Sequence, residues 1–161
     1  MKMKMPHVAL VLLVYMISSC SSEPLDTTTD VGIEEAANIV AVEQELLNLV
    51  NDHRISLDQT ALKFSSVAYK YANDHTDYMI SKGSLSHDNF SARASGISSQ
   101  VNAESVAENV AKEYSNASEA FQGWLNSPAH KKTMEGDFTD TAVSVKKDND
   151  GNFYFTQLFY K

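Results

Sequence analysis

The sequence has very little cysteine: Cys20 is the one cysteine in 161 residues. A disulfide within the chain is therefore impossible, and a core cysteine cannot act as a nucleophile. Stability must come from packing, and the 43% of apolar residues is typical of a soluble globular protein. A chain of this length can bury one substantial core, so we expect a single folded domain.

Glycine and basic residues are also scarce. The six glycines are scattered, so the sequence has no phosphate-binding glycine loop, and no Gly-x-Ser-x-Gly nucleophile motif is present. Thirteen lysines and arginines stand against 21 acidic residues, a formal net charge of −8. An acidic surface repels phosphate backbones and anionic lipids, so we expect neither a nucleic-acid partner nor electrostatic adsorption to membranes.

The chain lacks an apolar run long enough to cross a bilayer. The longest run, residues 8–17, follows Lys2 and Lys4 and ends in "ISSC", which is the plan of an export signal. The ending resembles a bacterial lipobox, so we predict a signal peptide over residues 1–19 and lipidation of Cys20. The alternative is an ordinary signal peptide in which the cysteine falls by chance. In the first case the lipid anchors the protein in the bacterial envelope, at the outer membrane or cell surface.

A polar segment separates this leader from the folded part. Residues 20–36 are predicted to be the lipidated cysteine and a tether, and residues 37–161 the domain. Apolar spacing predicts a helix over about 37–54, a second ending before Gly83, and a third over 116–126. Residues 84–102 are expected to form a loop, and "AESVAENVA" a short helix or turn.

Turn and cap signals define the rest. Ser127 followed by Pro128 predicts another helix start. "TAVSVKK" and "NFYFTQLFY", joined by "DNDG", predict an antiparallel hairpin. Asp148, Asn149 and Asp150 resemble part of a calcium loop but fit a hairpin turn better, because the downstream glutamate is missing. Helices followed by a hairpin predict an α+β domain.

Four histidines follow Cys20, and two of them are candidates for a site. His53 and His75 lie on apolar helix faces, where a partly buried, hydrogen-bonded histidine is expected. His87 lies in the predicted loop, and His130 is the third residue of a predicted helix, where the helix dipole favours a neutral imidazole.

Glu108 is the candidate acidic partner of these two histidines. Ser105 and Glu108 have the spacing of a capping box, so a capping role competes with a role in ligand contact. Two imidazoles and a carboxylate would also suit an open zinc site, but the three residues come from separate elements and lack a zinc-motif spacing.

Six segments in order resemble the CAP superfamily of cysteine-rich secretory, antigen 5 and pathogenesis-related 1 proteins, whose domain is also called SCP. They are "LLNLVNDHR", "AYKYANDHTDYMISKGSLSH", "FSARASG", "AENVA", "WLNSPAHKKTMEG" and "TAVSVKKDNDGNFYFTQLF", over about residues 40–160. The resemblance implies an α-β-α sandwich with a small antiparallel sheet between helical layers. It also implies a surface cavity lined by His87, Glu108 and His130.

Two departures from the family pattern affect function. Animal and plant members have a second glutamate after the tryptophan and a second histidine before Phe-Thr-Gln, whereas here Leu125 and Tyr154 stand near those places. The family's disulfides are absent too, so aromatic packing must replace them. We expect this packing from Phe64, Tyr71, Phe121, Trp124, Phe138, Phe153 and Phe155.

The resemblance leaves three functions open. The first, which we favour, is a monomeric, non-catalytic module that binds a small lipid-like or envelope ligand, with a divalent cation such as zinc held by His87 and His130. The second is a metal-dependent hydrolase, a protease or esterase, with Glu108 as general base. The third is a purely structural or immune-facing surface protein in which the cavity is vestigial.

Overall fold

The computed structural model describes residues 36–161. The predicted signal peptide, Cys20 and all but the last residue of the predicted tether lie outside the described residues. Within them, five helices and four strands follow in this order: α1 (Val40–Ser56), β1 (Lys63–Phe64), α2 (Ser66–Lys82), α3 (Phe90–Val101), β2 (Val106–Lys112), α4 (Ala117–Asn126), α5 (Pro128–Met134), β3 (Asp140–Lys147) and β4 (Phe153–Tyr160). No helix among these residues is long and apolar enough to cross a membrane.

The strands form one sheet in the order β1-β3-β4-β2. The predicted hairpin is confirmed as β3 and β4, which pair antiparallel, and β2 pairs antiparallel with the other side of β4. The two-residue strand β1 runs parallel to β3. The sheet is thus mixed, and it departs from the predicted antiparallel sheet in this one short strand.

Helices cover both faces of the sheet, which confirms the predicted α+β sandwich. On one face, Leu46 of α1, Trp124 of α4 and Met134 of α5 pack against Val143 and Phe155. On the other face, Ala72 of α2 and Ile97 of α3 pack against Ala142 and Leu158. Adjacent residues of a strand point to opposite faces, so β3 and β4 contribute to both cores.

The helix boundaries follow local sequence signals. Ser65 caps α2 by accepting from the Ala68 N–H, and Gly83 ends the helix at φ +69°, a conformation that glycine adopts without strain. Asn116 caps α4 in the same way through the Glu119 N–H. Pro128 opens α5 as predicted, although the Ser127 side chain makes no capping bond. Helix α1 begins three residues later than predicted and ends two later.

Two segments differ from the prediction. The predicted loop 84–102 contains the helix α3, and "AESVAENVA" contains the strand β2. Asn89 precedes helix α3 and Asn102 follows it, and both residues are in the left-handed conformation. The helix buries Arg93 and Ile97 against the rest of the domain. Strand β2 adopts the extended conformation because it pairs with β4, which is remote in sequence. The capping-box interpretation of Ser105 and Glu108 is therefore wrong, because it requires a helix.

Most of the predicted aromatic packing is present. Phe121, Trp124 and Phe155 are buried, and Tyr71, Phe138 and Phe153 are partly buried against the two cores. Phe64 is the exception: it lies in β1, not on α2, and it is 58% exposed. In the hairpin turn, Asp148 Oδ1 accepts from the Asp150 and Asn152 N–H groups, which is the bonding of a turn and not of a calcium loop.

Candidate functional site

A buried ion pair between α3 and β2 forms the base of the site. Arg93 donates from Nε to Glu108 Oε2 at 2.9 Å and from Nη2 to Glu108 Oε1 at 2.8 Å. This two-point geometry is the strongest arrangement of a guanidinium and a carboxylate. The Glu108 side chain is only 1% exposed. The carboxylate is thus fixed in place and separated from bulk water.

The loop between α2 and α3 is held by several contacts around His87. Asp88 Oδ2 accepts from Tyr78 Oη and Lys82 Nζ, and these two donors keep the pKa of Asp88 well below its usual range. The Asp88 carbonyl accepts from Arg93 Nη1 at 2.6 Å. The loop therefore presents His87 in a defined position.

His87 is hydrogen-bonded to the carboxylate at the base. Its Nδ1 lies 2.8 Å from Glu108 Oε1. Because a carboxylate that is paired with arginine only accepts, Nδ1 carries the proton and donates. The ring's other nitrogen, Nε2, is then available to a ligand, and the His87 side chain is 55% exposed. Arg93, Glu108 and His87 form a chain in which a buried carboxylate orients an exposed imidazole.

His75 of α2 is buried next to the Arg93–Glu108–His87 hydrogen-bonded residues. Its Nε2 donates to the Ser86 carbonyl at 2.7 Å and lies 3.8 Å from Glu108 Oε1. Burial lowers the pKa of His75, and this outweighs the opposing effect of the Glu108 charge. Its Nδ1 has no hydrogen-bond partner among residues 36–161. The expected structural role fits this position, and His75 also supports the loop that carries His87.

His53, the other histidine for which a structural role was expected, lies elsewhere. Its Nε2 is 2.9 Å from Glu135 Oε1, and its ring packs edge-on against Phe121.

His130 is near His87 but is not part of the hydrogen-bonded chain. Its ring lies 6.5 Å from the Trp124 ring, and its carbonyl accepts from Asn109 Nδ2. Burial lowers the pKa of His130, and the nearby His87 imidazole acts in the same direction whenever it is protonated. The structure thus brings His87 and Glu108 into direct contact and places His130 close enough to interact electrostatically.

A cavity of about 240 Å³ lies against this arrangement. It is lined by His87, Phe90, Val106, Ala107, Glu108 and Thr133. His130 is not among the lining residues. The walls are mainly apolar, with the imidazole of His87 and the hydroxyl of Thr133 as polar groups. Such a lining can bind an apolar group and orient it through one or two hydrogen bonds.

The residues do not fit the predicted metal site. Among residues 36–161, no group of three or more histidine, cysteine, aspartate or glutamate side chains is arranged to hold a metal ion. Glu108, the acidic partner expected to complete the set, already accepts from Arg93 and His87. A zinc site needs at least three protein ligands with free electron pairs, and His87 and His130 alone do not provide them.

The general-base role suggested for Glu108 does not fit its position either. A general base must come within hydrogen-bonding distance of the substrate, whereas the Glu108 side chain is 1% exposed and both of its oxygens already accept hydrogen bonds. Among the hydrogen-bonded residues Arg93, Glu108 and His87, the one with an exposed side chain is His87.

Arg93 is the site residue that the sequence analysis missed. It lies in "FSARASG", within the stretch 84–102 for which the sequence predicts a loop. Its spacing of four residues from Ile97, both on the buried face of α3, is the local signal that could have indicated a helix.

An α-β-α sandwich with a histidine and a glutamate at a cavity beside the sheet is the architecture that the resemblance implied. The family model for the cysteine-rich secretory protein family, CAP, matches residues 47–159. The chain therefore belongs to the CAP family.

Individual relatives are distant. The chain is 27% identical over 125 residues to the "Uncharacterized membrane protein YlbC" of Bacillus subtilis, covering 74% of this chain and 34% of that protein. It thus spans about a third of the length of this curated relative.

Solved structures share the fold. An outer surface protein from Borrelia burgdorferi superposes with a TM-score of 0.69 at 20% identity, covering 78% of this chain and 98% of that chain. An extracellular SCP-domain protein from Bacillus anthracis gives a TM-score of 0.64 at 24% identity, covering 76% and 41%.

Proposed function

We propose that this protein is an exported CAP-domain lipoprotein that binds a small ligand in the cavity beside His87. The observation that carries the proposal is the Arg93–Glu108–His87 chain. It holds an exposed imidazole at the wall of an apolar cavity.

The chemistry of the cavity defines the ligand. Phe90, Val106 and Ala107 offer apolar contact, and His87 Nε2 offers one acceptor. At about 240 Å³ the cavity is smaller than typical small-molecule pockets of roughly 300–1,000 Å³. It therefore suits an apolar group about as large as one side chain or a short acyl segment, with a neighbouring hydrogen-bond donor.

Fragment binding to the purified protein tests this proposal. We would measure binding of a panel of aromatic and short-chain aliphatic alcohols and amides by ligand-observed NMR. His87→Ala and Phe90→Ala should each reduce binding, because one removes the acceptor and the other an apolar wall. Leu57→Ala, an exposed position at the end of α1, is the control. Equal binding by the wild type and the two cavity variants would contradict the proposal.

Export and lipid anchoring rest on Cys20 and its flanking sequence. Export is supported by relatives described as an outer surface protein, an extracellular protein and a membrane protein, whereas the lipid rests on the sequence around Cys20 alone. In expressing cells, labelled fatty acid should enter the wild type and not Cys20→Ala. Equal labelling of both would contradict lipidation, while leaving the cavity proposal open to its own test.

Hydrolysis remains a second candidate because of one observation. A carboxylate that orients a histidine through Nδ1 leaves Nε2 placed to accept a proton from a water or hydroxyl group. In that case His87, and not Glu108, is the general base. Turnover of peptide or ester substrates that is lost in His87→Ala would support this function. Absence of turnover across a broad panel, with fragment binding intact, would favour the binding module.

A further inference from the structure

The outer edge of β2 carries main-chain groups that the sheet does not use. Ser105 exchanges hydrogen bonds with Lys161, and the Glu113 N–H donates to Phe153, so the odd-numbered residues of this segment pair toward β4. Residues of a strand alternate in the direction of their main-chain groups. The N–H and C=O groups of Val106, Glu108 and Val110 therefore point away from the sheet.

The nearby bonding pattern confirms this direction. The Val110 carbonyl accepts from Trp124 Nε1 at 3.1 Å, which places it on the side of the strand opposite β4. For the outward groups of Val106 and Glu108, the described part of the chain provides no hydrogen-bond partner. These four groups form a short free edge between the Ser105–Lys161 pair and the Trp124 contact.

The free edge is accessible at the cavity. Glu108 as a residue is 9% exposed, whereas its side chain is 1% exposed, so its exposed surface belongs to the main chain. Val106, Ala107 and Glu108 all line the cavity. The main-chain groups thus face the same space as the His87 ring.

The cavity walls lie on both sides of this edge. Val106 and Glu108 belong to the face of the sheet covered by α2 and α3, together with His87 and Phe90. Ala107 points to the opposite face, where Thr133 of α5 forms the wall. Successive side chains of an added strand would therefore point alternately toward Phe90 and His87 and toward Thr133.

We infer that the ligand of the cavity is a short extended peptide segment that pairs with the edge of β2 at Val106 and Glu108. This rests on the proposed cavity function and names the chemical class of its ligand. The outward N–H and C=O groups of Val106 and Glu108 have the spacing of a strand, so they can pair with the main chain of an extended peptide. Other peptides bind in this way by adding a strand to a sheet edge. The cavity is of a size to hold one apolar side chain of that peptide, next to His87.

Proline substitution at Val106 tests the pairing directly. The Val106 N–H points outward and β2 begins at this residue, so proline would remove a donor for the peptide without breaking a bond to β4. Val106→Thr is the matched control, since it keeps the N–H and the β-branched shape. Both variants are first compared with the wild type by thermal unfolding.

The probe is a library of random linear heptapeptides, selected on the purified wild-type protein. Selected peptides should bind Val106→Pro about tenfold more weakly, the effect of losing one hydrogen bond, and should bind Val106→Thr as they bind the wild type. N-methylation of the selected peptide should weaken binding at alternate positions and leave the positions between them unaffected, because only every second N–H faces the protein.

The outcomes separate the inference from the proposed function. Peptides whose binding requires His87 but is unchanged by Val106→Pro and shows no alternation would overturn the strand pairing and leave the cavity function standing. Fragments that require His87, with no peptide selected, would do the same. A wild-type dimer that Val106→Pro dissociates in the absence of peptide would replace the inference with edge pairing between two copies. If neither peptides nor fragments bind in a way that depends on His87, the proposed function is overturned as well.

Discussion

At the scale of single residues, Glu108 determines how the site is built. Its buried carboxylate is compatible with the fold because Arg93 and His87 supply three donors. The sequence predicted His87 and Glu108 as cavity residues through the family resemblance. It could not predict Arg93, because an ion pair between α3 and β2 depends on the positions of two elements that local patterns did not reveal.

Removal of Arg93 should destabilise the protein strongly. Arg93→Met leaves Glu108 buried without its cationic partner, and breaking a buried pair in this way costs about 3–5 kcal/mol. Adding Glu108→Gln should recover part of the loss, because the remaining group is then neutral. Urea unfolding measures both variants. Lys161→Met, which removes an exposed pair with Asp137, is the control and should have little effect. If Arg93→Met is as stable as this control, the pair contributes nothing.

His75 should make stability depend on pH. Burial lowers its pKa in the folded protein, so below about pH 6.5 the unfolded chain takes up a proton that the folded protein does not. The free energy of unfolding should therefore fall as the pH decreases from 7 toward 5. His75→Gln keeps a donor for the Ser86 carbonyl but does not titrate, so its unfolding free energy should fall less steeply. Equal slopes for the two proteins, from urea titrations at each pH, would assign the pH dependence to other groups.

At the scale of elements, local pattern was sufficient where periodicity or turn chemistry was strong. Helices α1, α2 and α4 and the β3–β4 hairpin were predicted from apolar spacing, caps and "DNDG". Helix α3 is rich in serine and contains Gly96, so its composition resembled a loop. Strand β2 has few β-branched residues, and its state follows from its partner β4. Contacts remote in sequence decided both elements.

Gly96 should be required for the packing of α3 on α2. A Cβ at this position would lie 2.7 Å from Cζ of Tyr71, closer than van der Waals contact. Alanine normally stabilises a helix interior by up to about 1 kcal/mol relative to glycine, whereas overpacking costs about 1–3 kcal/mol. Gly96→Ala should therefore destabilise the protein. In a Tyr71→Ala background the same change should be neutral or stabilising, which a double-mutant cycle by thermal unfolding can measure. A destabilisation that persists in that background would show that Tyr71 is not the cause.

At the scale of the whole molecule, the sheet links two cores that would otherwise be separate. β3 and β4 direct Val143 and Phe155 toward α1 and α4, and they direct Ala142 and Leu158 toward α2 and α3. Neither helical layer can detach without exposing one face of the same strands. No disulfide is available to hold either layer, since Cys20 has no partner in the sequence. We therefore expect the two cores to unfold together, as small single domains usually do.

This arrangement predicts that damage to either core unfolds both. Leu46→Ala affects the α1 side and Ile97→Ala the α3 side; both residues are fully buried, and such truncations cost about 2–5 kcal/mol. Trp124 fluorescence reports the first core, and far-UV circular dichroism sums the helices of both layers. Within each variant, the urea midpoint measured by Trp124 fluorescence should shift by the same amount as the midpoint measured by circular dichroism. If Ile97→Ala moved the circular dichroism and left the Trp124 transition unchanged, the layers would unfold independently.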